Sequence, residues 1–262
     1  MISLDLGRER DHRVSVVIPT LNEAENLPHV LPNIPFWVDE ILIVDGHSID
    51  DTIAVARKLQ PNVRIVMQQG RGKGDALRAG FAAATGDIII SLDADGSTDP
   101  REIPAYVGGL FAGADYVKGS RFLQGGGTSD MTLIRRLGNW GFVTVVRVLF
   151  GGKYTDLCYG YNAFWSHVLP ALHLDVDGFE IETLMNLRAL SARLKVAEIA
   201  SFEADRLFGE SHLQAIPDGW RVLKIIFREW LASGGSPLRR LPKVAPFTIP
   251  ISVENEVEST SQ

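Results

Sequence analysis

Cysteine is almost absent: Cys158 is the only one in 262 residues. A single thiol can form neither an internal disulfide nor a cysteine-rich zinc site, so a reducing, cytoplasmic setting is expected. Positive charge is in deficit. Lys and Arg number 26 against 32 Asp and Glu, a formal net charge of −6, whereas a general nucleic-acid binder needs a basic surplus. The histidines, His12, His29, His47, His167, His173 and His212, show no metal-ligand spacing. Long apolar runs are also missing. The longest uncharged stretch, 157–174, is broken by Gly160, Asn162, Ser166, Pro170 and two histidines, and Leu137–Val146 is too short to cross a bilayer. Membrane contact is therefore expected to be peripheral, at the inner face if it occurs. The opening segment MISLDLGRERDHR has no apolar centre, and no secretory signal is expected from it.

What is present is ordinary for a globular chain: 45% hydrophobic and 22% charged residues. The length suits one elaborated domain over 1–232, in two halves at about 14–118 and about 119–232. Beyond Ser233 come Gly234, Gly235, four prolines and an acidic end, so 233–262 reads as a mobile tail.

The first half alternates by element. Val14–Pro19, Glu40–Val44, Arg64–Gln68 and Asp87–Leu92 read as buried strands, and Tyr116–Lys118 resumes strand character. Between them, Leu27, Val30, Leu31 and Ile34 have helical spacing until Pro32 intervenes; Thr52–Leu59 and Asp75–Thr85 are helices, and Asp99-Pro100-Arg101-Glu102 starts another. The predicted fold class is α/β, a mostly parallel sheet with helices on both faces and ligands at the carboxyl ends of its strands. In the second half, Phe122–Asp130 is a glycine-rich loop, Leu133–Phe150 and Glu180–Ala192 are helices, and Lys195–Ile199 and Phe202–Asp205 are short strands. Trp220–Ala232 is amphipathic, and three uses fit it: packing on the domain, pairing subunits in a homo-oligomer, or lying on a membrane with Trp220, Ile226 and Trp230 turned toward lipid.

The chemistry gathers at strand ends. Asp93 and Asp95, in SLDADGS, stand two residues apart after the fourth strand, so both carboxylates can face one crevice and hold Mg²⁺ or Mn²⁺ against a diphosphate. A solvated Asp-x-Asp-Gly turn explains the same letters. The first strand ends in Pro19-Thr20-Leu21-Asn22-Glu23 and the second in Asp45, which can read a nucleoside or merely shape a turn. Gly70-Arg71-Gly72-Lys73-Gly74 follows the third strand. It offers a phosphate cradle, although its spacing is neither that of a P-loop nor that of a dinucleotide fingerprint, and a flexible loop is the alternative.

Seven segments, VVIPTLNEAENL, ILIVDGHSIDDT, GRGKGDALRAGF, GDIIISLDADGS, VKGSRF, TDLCYGYNAF and ADRLFGESHL, run in order over residues 14–213. Together they resemble glycosyltransferase family 2, the nucleotide-sugar-dependent GT-A group, and within it the dolichyl/polyprenyl-phosphate mannose synthases. The resemblance implies that Pro19, Thr20, Asn22 and Glu23 hold the nucleoside and that Asp45 reads the base. It implies that Lys73 and Arg78 lie beside the nucleotide, that Asp93 and Asp95 form the metal-binding DxD, and that Arg121 and Arg206 lie near the phosphates or the acceptor. The implied reaction is inverting transfer of a hexose, mannose or glucose, from a GDP- or UDP-sugar to a polyprenyl phosphate. Glu182 or Glu180 could serve as a base for a hydroxyl acceptor, or simply favour a helix N-terminus. The chain departs from the pattern at Ser97, where the mannose synthases often have Gln, at Ser211-His212, where they end GxSK, and at CYGY in place of TSGF. The membrane helices that some members append are missing. A small soluble acceptor, such as a phosphorylated metabolite or a natural-product scaffold, fits the same residues. A nucleotidyltransferase would also place acids at strand ends, but usually carries a glycine-rich loop after its first strand, where PTLNEAENL has no glycine.

Overall fold

The computed structural model describes residues 11–129, 131–210 and 213–235. Most of the expected tail, along with Ser211 and His212, lies outside the described residues.

The main sheet has the order β3-β2-β1-β4-β7-β5-β8. Its strands are β1 (Val14–Thr20), β2 (Glu40–Asp45), β3 (Arg64–Met67), β4 (Ile88–Ser91), β5 (Tyr116–Ser120), β7 (Asn162–Trp165) and β8 (Val196–Ala200). A separate pair, β6 (Gly127–Thr128) and β9 (Phe202–Glu203), is parallel. The helices are α1 (Leu27–Val30), α2 (Thr52–Leu59), α3 (Lys73–Ala83), α4 (Ile103–Phe111), α5 (Leu133–Phe150), α6 (Leu169–Leu172), α7 (Ile181–Ser191) and α8 (Ala215–Ala232). Three readings need correction. Asn162–Trp165 is a strand hidden inside a motif-like segment. Helix α3 starts at Lys73 rather than Asp75, which puts the lysine on the first turn. Helix α8 begins at Ala215, because Pro217 is tolerated in a first turn.

The inner strands are buried on both faces, as parallel sheets are, whereas β3, expected to be buried, lies at the sheet edge and is exposed or half-buried throughout. In β1, Val14, Val16 and Ile18 enter one core with α1, α2 and α4, while Val17 enters the other with α3, α5, α7 and α8. The helix α3 lies close against the sheet because residue 80 is glycine: a Cβ there would stand 2.3 Å from Val17 Cγ1.

Register brings the chemistry to one edge. Thr20 pairs with Asp45 and Asp45 with Met67, so three parallel strands end level. The strand β7 is antiparallel to both β4 and β5. It runs away from that edge, so the residues preceding it, Cys158 to Tyr161, are delivered beside the end of β4; Ser91 Oγ donates to the Gly160 carbonyl at 3.1 Å.

Helix α8 packs on α5 and α7. Ile226 is fully buried and Trp230 is packed against the core, while Trp220 is 59% exposed. The expectation that all three turn toward lipid is thus corrected: only Trp220 lies on the outward stripe, which it shares with Ile216, Phe227 and Leu231.

Candidate active site

A cavity of about 260 Å³ opens at the carboxyl edge, lined among others by Pro19, Thr20, Glu23, Lys73, Asp93, Asp95, Glu182 and Arg206. Four elements deliver these groups. Pro19 and Thr20 end β1, Asp93 and Asp95 follow β4, Lys73 opens α3 and Glu182 lies in the first turn of α7.

The charges are arranged as two matching triplets. Lys73 Nζ lies 2.6 Å from Asp93 Oδ1 and 2.6 Å from Glu182 Oε1. Arg206 Nη2 lies 2.5 Å from Glu23 Oε1, and its Nη1 lies 3.4 Å from Asp95 Oδ2. Each aspartate therefore shares a cation with a glutamate. Burial works against the Lys73 ammonium, but Asp93 and Glu182 outweigh it and hold its pKa above the ordinary lysine value. Burial raises Glu182 and Glu23 above the usual carboxylate range, with Lys73 and Arg206 partly offsetting it. Asp95 is further fixed by Ser97, whose backbone N–H and hydroxyl donate to Oδ1 at 3.0 and 2.7 Å. Ser97 thus takes up one face of the aspartate, as an Asx turn would.

Arg206 comes from the segment 204–210, which is strapped across the edge. Ala204 N–H donates to the Ser97 carbonyl, Leu207 N–H to the Asp95 carbonyl, and Asn26 exchanges hydrogen bonds with the backbone of Phe208.

The other candidates are placed differently. Asp45 is fully buried beside Gly46, which lines the cavity; Oδ2 accepts from Ser48 N–H at 2.9 Å, and Oδ1 has no hydrogen-bond partner among the described residues. A buried carboxylate oxygen without a donor is costly and suits a ligand N–H. Asn22 adopts a left-handed backbone and fastens the 48–49 turn through Ser48 Oγ and Ile49 N–H. Arg78 donates to the Val176 carbonyl, Asp75 and Asp177, clamping the loop before α7 to α3. Arg121 is 5% exposed; its guanidinium binds Asp156 and Glu203 and lies over the Tyr159 ring. In this arrangement Arg121 fixes the segment that carries Cys158 to the end of β5.

Several cavity residues were not singled out from sequence: Gln68, Cys158, Tyr159, Gly160 and Phe179. Gly160 lies against the lysine triplet, where a Cβ would stand 2.7 Å from both Glu182 Oε1 and Lys73 Nζ. Burial pushes the Cys158 thiol up to about 12. A signal for all of them but Gln68 was present in TDLCYGYNAF and in GFEIET, residues 178–183, but nothing in either segment reveals that β7 runs backward.

Cys158, Phe179, Glu182, Arg135 and Leu213 also line a second cavity of about 140 Å³. This one runs between α5 and α8; Ile134, Phe142 and Val222 wall it, and Arg121 and Asp218 also reach it. Glu182 stands where the two cavities meet.

No group of three or more carboxylate, imidazole or thiol side chains able to hold a metal occurs among the described residues. Asp93 and Asp95 instead form a two-carboxylate, all-oxygen donor set. That set fits a hard cation such as Mg²⁺ or Mn²⁺, which takes its remaining ligands from phosphate and water.

A profile of the glycosyl transferase family 2 matches residues 15–169. The undecaprenyl-phosphate mannosyltransferase of Micrococcus luteus is 31% identical over 225 residues, 81% of this chain and 92% of that protein. The polyprenol monophosphomannose synthase of Mycolicibacterium smegmatis is 30% identical over 83% of this chain and 86% of its own. The dolichol-phosphate mannosyltransferase of Pyrococcus furiosus, also 31% identical, is matched over 77% of this chain and 59% of its own length. Among solved structures, a glucosyl-3-phosphoglycerate synthase from Mycobacterium tuberculosis in complex with phosphoglyceric acid superposes with a TM-score of 0.68 at 24% identity, covering 86% of this chain and 81% of that one. That likeness is one of fold. With the profile match and two relatives matched over most of their length, the chain belongs to glycosyltransferase family 2, as a nucleotide-sugar-dependent hexosyltransferase of GT-A fold.

Proposed function

We propose that this enzyme moves a hexose, mannose or glucose, from a GDP- or UDP-sugar to a polyprenyl phosphate, with inversion. The observation that carries the acceptor reading is the second cavity. It leaves the donor cavity at Glu182, is walled mainly by apolar side chains, and passes between two helices whose outer faces expose Leu133, Ile134, Leu137, Trp140, Ile216, Trp220 and Leu231. An apolar face of this extent on packed helices suits lipid better than a small metabolite. Helix α5 contains no acid, and on α8 Asp218 and Glu229 are largely buried, while Arg136, Arg147, Arg221 and Lys224 are exposed. Despite a chain charge of −6, this face is cationic and matches an anionic leaflet. No helix among the described residues is long and apolar enough to cross a membrane, so contact through this face is peripheral.

In this reading Asp45 accepts a base N–H, and Thr20 and Pro19 flank the nucleoside. Asp93 and Asp95 would hold a divalent cation, which supplies Lewis-acid stabilisation of the departing diphosphate. Lys73 and Arg206 add positive charge where the diphosphate develops it negative. A phosphate oxygen of the acceptor attacks the anomeric carbon from the face opposite the leaving group. The new C–O bond forms as the bond to the nucleoside diphosphate breaks, whose oxygen keeps the electron pair. A phosphate acceptor is already anionic and needs no base. Glu182 then acts by holding Lys73, and it would serve as a proton acceptor only for a hydroxyl nucleophile.

The test is transfer from GDP-mannose and UDP-glucose to a short-chain polyprenyl phosphate, run beside 3-phosphoglycerate as a soluble phosphorylated acceptor. Product on the polyprenyl phosphate supports the reading. Product on the soluble acceptor alone overturns it, while leaving the glycosyltransferase assignment intact.

A further inference from the structure

The two charge triplets have the same design: Glu182–Lys73–Asp93 and Glu23–Arg206–Asp95. In each, one cation is shared between an aspartate of the DxD pair and a glutamate set deeper in the wall. The side chains of Glu182 and Glu23 are both 8% exposed, against 26% and 23% for Asp93 and Asp95. The aspartates open to the cavity, and the glutamates stay behind. The contacts differ in quality. Arg206 meets Glu23 at 2.5 Å and Asp95 at only 3.4 Å, so its hold on the aspartate is the weaker one.

We propose that Lys73 and Arg206 are internal stand-in cations: they occupy the Asp93 and Asp95 carboxylates until a divalent ion takes those carboxylates, and are then handed over to the diphosphate, while Glu182 and Glu23 keep them tethered in the crevice. This rests on the metal-holding role proposed for the two aspartates. Its physical content is a coupling between two ligands. A divalent ion arriving alone must displace two charge-assisted contacts, a close one at Asp93 and a looser one at Asp95, and the released cations find no new anionic partner. A nucleoside diphosphate arriving alone meets cations already in use. When both arrive, each supplies what the other displaces, so metal and diphosphate bind with positive cooperativity, and the coupling is reciprocal. Glu23 and Glu182 are positioning residues in this scheme; they act through the cations they hold.

The scheme predicts an unusual sign. Removing one of the cations should tighten binding of the metal alone, because its competitor is gone, and weaken binding of the diphosphate in the presence of metal. The experiment measures Mn²⁺ binding by electron paramagnetic resonance, and UDP and GDP binding by calorimetry with and without Mn²⁺, for the full chain and for Arg206→Gln and Lys73→Gln. Arg57→Gln, on the exposed face of α2, removes the same charge outside the crevice and controls for the overall field. We expect Mn²⁺ alone to bind at least about threefold tighter to both crevice variants and unchanged to the control. The metal–diphosphate coupling of the parent, of the usual size of about 5–150-fold, should fall toward onefold in both variants. Circular dichroism checks that the variants are folded, and two independent positions guard against the loss of one. Mn²⁺ binding that is unchanged or weaker in both folded variants overturns the hand-over. If the parent binds Mn²⁺ but neither diphosphate, the donor reading fails instead, and the metal-only arm still decides the stand-in role.

Discussion

Replacing Gly160 with alanine tests the assembly of the site with a single methyl group. The Cβ would be built 2.7 Å from Glu182 Oε1, 2.7 Å from Lys73 Nζ and 2.9 Å from Asp93 Oδ2. Ordinary van der Waals contact starts near 3.4 Å, so the two nearer groups must retreat by about 0.7 Å and Asp93 by about 0.5 Å. All three are ends of side chains bordering a cavity, so they can move without disturbing the backbone. The stability cost should lie at the low end of the overpacking range, about 1 kcal/mol, which in a chain of this size lowers Tm by about 2–4 °C. Catalysis has less tolerance. A misplacement of about 1 Å can cost roughly a hundredfold in rate, so shifts of this size should reduce turnover by about tenfold or more. The expected signature is a large fall in kcat beside a small fall in Tm, read by nucleoside diphosphate release during transfer and by thermal unfolding. A variant that turns over within about twofold of the parent, with the same affinity for Mn²⁺, would show that the lysine triplet has no part in the chemistry. A collapse in Tm would show that residue 160 belongs to the packed core rather than to the site.

Four further outcomes follow from the same geometry. Asp95→Asn should cut turnover by about a hundredfold or more, as removal of one transition-state stabiliser does, and excess EDTA should do the same; full activity in EDTA would refute the metal reading. Asp45→Ala should weaken nucleoside diphosphate binding by about 1–3 kcal/mol, because the ligand donor that meets the unpartnered Oδ1 is left unpaired; calorimetry that finds no change would reduce Asp45 to a turn residue. The Cys158 thiol, pushed up to about 12 by burial, is protonated at neutral pH and gains thiolate only as the pH rises toward that value. Cys158 is half-buried at the wall of both cavities, so iodoacetamide at pH 8 should label the native chain more slowly than the unfolded one, and equal rates would contradict the raised thiol. Replacing Trp140 and Trp220 together with serine should weaken binding to anionic vesicles by at least about tenfold, since each buried aromatic is worth about 1.5–3 kcal/mol; flotation that is unchanged would remove the α5–α8 face from the membrane.

Much of the fold could be read from the chain because a parallel sheet announces itself. Runs such as VSVVIP and DIIISL are apolar on both faces, and between them the helical spacing and the turn residues leave little choice. Strand β7 escaped notice because Asn162–Trp165 is short and sits within a segment that reads as loop. An antiparallel insertion in a parallel sheet leaves no local mark. Its direction is set by tertiary pairing with β4 and β5. Helix α8 was legible as amphipathic, but which of its stripes faces the protein depends on where α5 and α7 lie. Hydrophobic spacing alone cannot rank Ile226, which is fully buried, against Trp220, which is not.

The site was legible in the same uneven way. Acids at the ends of β1, β2 and β4 could be expected to converge, because parallel strands that end level must present their last residues together. What the chain could not reveal is which charges would meet. Lys73 and Glu182 are 109 residues apart, and Arg206 and Glu23 are 183 apart. Nothing in the composition of either segment favours those pairs over others. Arg121 shows the same limit from the other side. The resemblance placed it near the phosphates or the acceptor; it does line the second cavity, but burial obliges it to be paired, and Asp156 and Glu203 are the acids that the fold brings within reach. A cation that must be neutralised by its surroundings wherever it is buried is a structural element. A cation held at a cavity wall by one deep glutamate and one open aspartate is available for exchange. Arg121 is of the first kind and Arg206 of the second, and the difference lies in the exposure of their partners.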